Sequence, residues 1–202
     1  MKKNTAVTGT LILAAAGLTT RLIGFIYRIL MSRWIGSEGM GLFGLISPVY
    51  SFAFTLCGSG TYMAISKLVA EARSDREAAR LLLPSLFLTM SLGTAATLTL
   101  QFLAGPLGHG LLGDIRTIRP LRLISLALPF CAAGNCFKAY FLGVRRMGIP
   151  AASQILEQLL RMGVIGGLAL YLSPDDLEAA CLIVVLGNVA GELFSCLLTA
   201  AA

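Results

Sequence analysis

Six long apolar runs follow one another along the chain, separated by short polar breaks. They cover about 6–32, 39–69, 79–104, 121–144, 150–172 and 177–202. Each is near or above the roughly 20 residues that a helix needs to cross the hydrocarbon core of a bilayer. Backbone groups in lipid must be bonded within their own segment, so each run predicts a helix. The runs are too long for strands and lack two-residue alternation. The expected fold is all-α: a polytopic membrane protein with six transmembrane helices, in a single domain over 1–202. Composition agrees, with 56% hydrophobic and only 13% charged residues, about half the charge of an ordinary soluble domain. An unusually apolar soluble protein is the weaker reading.

Local signals punctuate the runs. Lys2 and Lys3 precede an apolar stretch, as in a signal peptide. The apolar character continues past Thr20, which makes it a retained first span. Pro48, Gly58 and Gly60 mark bends within the second run. Ser74 with Glu77, and Ser173 with Asp176, have capping-box spacing for the third and sixth helices. Pro174 stands at the first position of the sixth helix and Pro150 in the first turn of the fifth. The segment "GPLGHGLLGDIRTIRPLR" is long and glycine-rich, and predicts a short helix lying on the surface.

The formal charge is +6. The basic residues fall mostly between apolar runs, which points to membrane topology rather than to nucleic acid as a partner. With a cytoplasmic N-terminus, the inner side would hold Lys2, Lys3, Lys67, Arg73, Arg76, Arg80, Arg145 and Arg146. The outer side would hold Arg33, Arg116, Arg119 and Arg122. The excess favours that orientation. Asp175, Asp176 and Glu178 add an acidic outer loop.

Polar residues inside the runs carry the functional signal. Arg21 and Arg28 lie in the first run, seven residues apart, and so project from nearly one helix face. An arginine at bilayer depth costs about 2.5–3.5 kcal/mol on insertion scales. Arg28 could snorkel to an interface, whereas Arg21 is too near the middle. In the fifth run Gln154, Glu157, Gln158 and Arg161 form one stripe, with Glu157 and Arg161 at pairing distance. Asn135 and Lys138 share a face in the fourth run, as do Asn188 and Glu192 in the sixth. Two readings stay open. The groups could bond between helices and hold the bundle together. Alternatively they line a water-filled cavity of net positive charge, suited to an anionic amphiphile whose hydrocarbon stays in the bilayer.

Cys57, Cys131, Cys136, Cys181 and Cys196 all sit in apolar stretches without a CxxC, and read as small hydrophobes. His109 is the only histidine. No nucleophile–base set or phosphate-binding loop is present, so no enzyme, cofactor or metal site is expected.

Three stretches resemble the stage V sporulation protein B family of polysaccharide exporters. "RLIGFIYRILMSRWIGSEGMGLFGLISPVYS" is similar to its opening, an Arg, then Gly-Phe, a Tyr-Arg, and Gly-x-Glu-Gly-x-Gly-Leu-Phe. "AISKLVAEA" is similar to its Ser-Lys-x-x-Ala-Glu. "KAYFLGVRRMGIPAASQILEQLLRMG" resembles its signature ending in Ser-Gln-x-x-Glu-Gln-x-x-Arg. Together they cover residues 21–72 and 138–163 in the family's order. Lys138-Ala139-Tyr140-Phe141-Leu142-Gly143 stands where the family often has Arg-Gly-Tyr-Phe-Gln-Gly.

The resemblance implies the multidrug/oligosaccharidyl-lipid/polysaccharide flippase superfamily, whose members have two lobes of about six helices around a central cavity and work by alternating access. It implies flipping of a lipid-linked oligosaccharide or peptidoglycan precursor, with a lipid-linked pyrophosphate sugar as substrate, in the sporulation and cell-envelope context of the bacterial cytoplasmic membrane. Related lipid II flippases hold a pyrophosphate with cavity-facing arginines. Arg21 falls where the wider family keeps an arginine in its first helix, and Arg28, Glu157 and Arg161 fit the branch signature. Substrate-binding residues expected on these grounds are Arg21, Arg28, Asn135, Lys138, Gln154, Glu157, Gln158, Arg161, Asn188 and Glu192. The chain ends "SCLLTAAA" without a basic residue or polar cap, so it is expected to be an N-terminal lobe lacking its C-terminal lobe. A pair of half-transporters is the alternative. A cation-coupled multidrug antiporter of the same superfamily would need buried acids to dominate, and a non-transporting scaffold would turn the arginines into helix contacts.

Overall fold

The computed structural model describes residues 2–172 and 177–202. All regular structure among them is helical. Helix α1 runs Lys2–Glu71, α2 Asp75–Pro106, α3 Ile118–Ser125, α4 Leu128–Gly143, α5 Gly148–Leu172 and α6 Leu177–Ala201. A π-helical turn, Leu107–Leu111, and a 3-10 turn, Ile115–Thr117, connect α2 to α3. The helix start expected at Ser173, Pro174 and Asp176 lies outside the described residues.

The first two apolar runs are joined through one residue rather than a loop. Gly36 breaks α1 with φ 78° and ψ 169°, a region essentially closed to any residue with a Cβ. The limbs Ala14–Arg33 and Gly36–Glu71 are each long and apolar enough to span a membrane. So are Arg76–Leu111 and Glu178–Ala201. The fourth run is divided: Ile115–Ser125 and Leu128–Gly143 meet at a 41° bend and make a fifth candidate as a pair. Among the described residues this gives four spans, or five with the bent pair. Helix α5 has 25 residues, a length of about 37 Å; its polar stripe lowers its apolarity.

The bend before α4 leaves carbonyls without a helical donor, and α2 supplies replacements. Gln101 Nε2 donates to Arg122 O at 2.9 Å, and Thr97 Oγ1 to Ser125 O at 2.8 Å. In lipid such groups must be satisfied from within the protein. The short helix expected on the surface is instead packed inward: Pro120, Leu121, Ile124 and Ser125 are buried. Leu121 and Ile124 join Leu42 and Ile46 of α1 and Cys181 and Val185 of α6 in one cluster.

Helix α4 sits among α1, α2 and α6. Its small residues set those distances. A Cβ on Gly134 would stand 3.6 Å from the Cys196 Cα of α6, and one on Gly143 only 2.6 Å from the Val69 side chain. Close backbone approach through small residues is how helices associate where lipid removes the hydrophobic drive. Cys131 and Cys136 are buried free thiols in this interface. Helix α4 ends with Arg145 at φ 63°. The Arg146 N–H bonds Phe141 O at 2.9 Å and the Arg145 N–H bonds Leu142 O at 3.1 Å, the two bonds of a Schellman cap with arginine where glycine is usual. Helix α2 opens on Ser74, whose Oγ accepts from the Glu77 N–H at 3.3 Å. The Glu77 carboxylate reaches back to the Arg73 N–H at 2.9 Å, one residue beyond the expected partner. Large apolar side chains such as Leu22, Phe25, Phe52, Leu83, Phe87 and Phe102 point outward, a surface suited to hydrocarbon.

Candidate functional site

The polar residues inside the bundle gather into two adjoining arrangements. The first is a mostly buried charge network across three helices. Glu157 and Arg161 of α5, one turn apart, pair at 2.8 Å. The other Glu157 oxygen accepts from Lys138 Nζ of α4 at 3.0 Å. Arg161 Nη2 also lies 3.4 Å from Glu192 of α6. The four side chains are 12–18% exposed. Two cations face two anions, so the network carries no net formal charge. Such a set gains little over apolar packing, but each member depends on the others to offset its desolvation. Gly191 makes it possible: a Cβ there would stand 3.3 Å from Arg161 Nε and 3.5 Å from Glu157 O. Gly187, one turn earlier, sits against Ile165, which a Cβ would overlap.

The second arrangement is a polar groove of about 660 Å³ between both limbs of α1, α5 and α6. Arg28 and Tyr27 line it from the first limb, Ser47 from the second, Gln158 and Arg161 from α5, and Asn188 from α6. Arg161 thus belongs to both arrangements, with one side of its guanidinium held by carboxylates and the residue bordering the open space. Tyr27 Oη and Arg161 Nε are buried and have no hydrogen-bond partner among the described residues. A buried polar group without a partner is costly and asks for an explanation. Neither atom is open to the groove's space, and Arg161 Nε stands against Gly191 of α6. No carboxylate is among the described residues lining the groove.

The ten expected residues therefore separate. Arg28, Gln158, Arg161 and Asn188 line the groove. Lys138, Glu157 and Glu192 form its charged wall behind Arg161. Asn188 Nδ2 is bonded to Val184 O at 2.8 Å, one turn back on its own helix. Asn135 lies against α1, where a Cβ on Gly58 would stand 3.2 Å from its Nδ2. Arg21 and Gln154 are exposed and do not line the groove. The sequence reading missed Tyr27, Met40, Phe43 and Ser47. Their signal was present: Gly24, Tyr27 and Met31, and Met40, Phe43 and Ser47, each repeat at helical spacing on the two limbs.

The family described as polysaccharide biosynthesis protein matches residues 6–200. The chain is 39% identical over 200 residues to stage V sporulation protein B of Bacillus subtilis (strain 168), covering 98% of this chain and 39% of that one. It is 26% identical over 166 residues to the lipid II flippase MurJ of the same organism, covering 76% of this chain and 30% of that one. A third relative there, the uncharacterized membrane protein YabM, is 28% identical over 190 residues, covering 92% and 35%. The chain spans about two-fifths or less of the length of these curated relatives. No solved structure matches it. Helices long and apolar enough to span a membrane, together with these relatives, point to a multi-pass bacterial membrane protein. The chain belongs to the polysaccharide biosynthesis protein family.

Proposed function

We propose that the chain is the N-terminal lobe of a flippase that moves a lipid-linked oligosaccharide or a lipid II-like peptidoglycan precursor across the bacterial cytoplasmic membrane, in a cell-envelope or sporulation setting. Its substrate is a lipid-linked pyrophosphate sugar, and its partners are membrane lipids and a second lobe of similar size. The observation that carries this reading is the groove lined by Arg28 and Arg161 with no acid among its described lining residues. Arginine keeps its charge at any accessible pH and presents a planar fork of donors matched to phosphate oxygens.

In this reading all six apolar segments cross the membrane, with α5 as the crossing that carries the charged wall, and the N-terminus is cytoplasmic. The turns before α2 and before α5 support one shared end: Arg73 and Arg145 border the same small depression. Lys138, Glu157 and Glu192 hold Arg161, while Gln158 and Asn188 offer polar contacts to a sugar. Asn135 and Gln154 belong to the same polar system at its margins. Arg21 extends the positive face of the first helix two turns from Arg28.

The multidrug-antiporter alternative is less well supported, because the two buried acids, Glu157 and Glu192, face Lys138 and Arg161 rather than the groove. Reconstitution of the intact transporter into proteoliposomes tests the choice. Translocation of a fluorescent lipid-linked pyrophosphate sugar, with no efflux of a hydrophobic cation, is the expected result. Cation efflux without translocation would overturn the proposal.

A further inference from the structure

We propose that the depression between the α1–α2 turn and the α4–α5 turn binds the phosphate of an anionic phospholipid headgroup, held by Arg73 and Arg145. This site is separate from the polar groove and takes a different molecule from the proposed cargo. The depression has a volume of about 320 Å³, and Arg73, Ser74 and Arg145 are its polar lining residues. Val69 and Gly143, where α1 and α4 approach closely, also line it. It lies where the candidate spans Gly36–Glu71 and Leu128–Gly143 end and Arg76–Leu111 begins. That is the depth of phospholipid headgroups.

Two features set these arginines apart from a general excess of positive charge. Arg145 has φ 63°, at the cap position where glycine fits without strain. For the turn alone glycine would serve better, so the side chain is what arginine adds there. It adds a planar cation whose fork of donors matches phosphate oxygens. Second, Arg73 comes from a different turn and borders the same space. Neither guanidinium forms an ion pair among the described residues. Lys67, Arg76, Arg80 and Arg146 add to the local positive charge, against Glu71, Asp75 and Glu77. Glu71 lies 3.9 Å from Lys67, and the Glu77 carboxylate is turned to the Arg73 N–H. In the orientation proposed above this end is cytoplasmic, and the anionic lipids of that leaflet have the complementary charge. Lipid phosphate is also held there at a much higher local concentration than dissolved phosphate.

Titration of the intact transporter with phosphatidylglycerol or phosphatidylcholine, read by native mass spectrometry, tests the site. Phosphatidylglycerol is expected to bind tighter. Arg73→Gln and Arg145→Gln should each weaken it by about tenfold or more. Arg80→Gln and Arg146→Gln remove the same charge from this end but lie outside the depression, and should weaken it by about threefold or less. Arg145→Gly separates strain from binding. It should raise the thermal midpoint in phosphatidylcholine, because glycine suits the cap, and lose phosphatidylglycerol as Arg145→Gln does. Equal losses in all four glutamine variants would mean diffuse attraction to positive charge and overturn the site. Equal binding of the two lipids would overturn it too, as would phosphatidylglycerol binding that survives Arg145→Gly. A lower midpoint for Arg145→Gly would show that arginine serves the turn itself, which also overturns the proposal. Complete displacement of phosphatidylglycerol by millimolar inorganic phosphate would assign the site to a dissolved anion and overturn the lipid as its occupant.

Discussion

The charges on α4, α5 and α6 and the arginines on the first limb of α1 occupy the same bundle under opposite conditions. Lys138, Glu157, Arg161 and Glu192 are nearly buried, and every one has an opposite charge within 3.4 Å. Arg21 and Arg28 are exposed, and Arg28 borders a groove with no carboxylate among its described lining residues. In a low dielectric, compensation decides whether a charge is structural: a neutral network keeps helices in register, whereas an uncompensated cation leaves its field in the open space beside it. Arg161 is the joint between the two, because it is paired on the network side and borders the groove. The wall therefore fixes the position of a groove cation without cancelling Arg28.

The largest expected effect comes from breaking the wall. Glu157→Gln leaves Lys138 without its partner and Arg161 with Glu192 alone, and loss of one partner in a buried set costs about 3–5 kcal/mol. Folded yield and thermal midpoint in detergent should fall sharply. The structure also says which second change rescues. Adding Lys138→Met removes the stranded cation and keeps the Arg161–Glu192 contact, so stability should recover in part. Adding Arg161→Gln instead strands both Lys138 and Glu192 and should recover less. Equal stability of the two double variants would break the idea of a three-helix network. Next in size is Gly187→Ala. Its Cβ would overlap Ile165, and overpacking of this kind costs about 1–3 kcal/mol. The thermal midpoint should drop while pyrophosphate-lipid binding per folded molecule stays near normal.

The ease of reading these features from sequence depends on how far their causes reach along the chain. The Glu157–Arg161 pair was legible because both residues lie one turn apart on one helix. Their ties to Lys138 and Glu192 were not, because helix register across α4, α5 and α6 is set by Gly134, Gly187 and Gly191, whose neighbours are tertiary facts. The all-helical fold followed from run length alone. The division of the fourth run was missed although Pro129, in the first turn of α4, signals it by having no N–H for the Ser125 carbonyl; what the run itself does not show is that Thr97 and Gln101 of a different helix take the freed carbonyls. Gly36 is the reverse case, where one residue needs a conformation that only glycine takes easily. Helical geometry put Arg21 and Arg28 on one face, but it could not say how far the groove extends along that face.

The smallest expected change in stability belongs to those two arginines, and it sharpens the comparison most. Both side chains are exposed, so Arg21→Ala and Arg28→Ala should each alter stability by about 0.5 kcal/mol or less. Their functions should differ. Arg28 lines the groove, and a hydrogen bond to a charged group contributes about 1.5–3 kcal/mol. Arg28→Ala should then weaken binding of a short-chain pyrophosphate lipid by about 10–100-fold. Arg28→Lys keeps the charge, loses the planar fork, and should fall between. Arg21 stands two turns away, about 10 Å along the axis, and does not touch the resting groove. Its expected role is to receive the headgroup during movement, so Arg21→Ala should leave affinity nearly unchanged and slow translocation. Affinity and translocation measured on the same preparations decide the matter. If Arg21→Ala weakens binding as much as Arg28→Ala does, the two arginines act as one site. If it changes neither quantity, Arg21 has no part in handling the substrate.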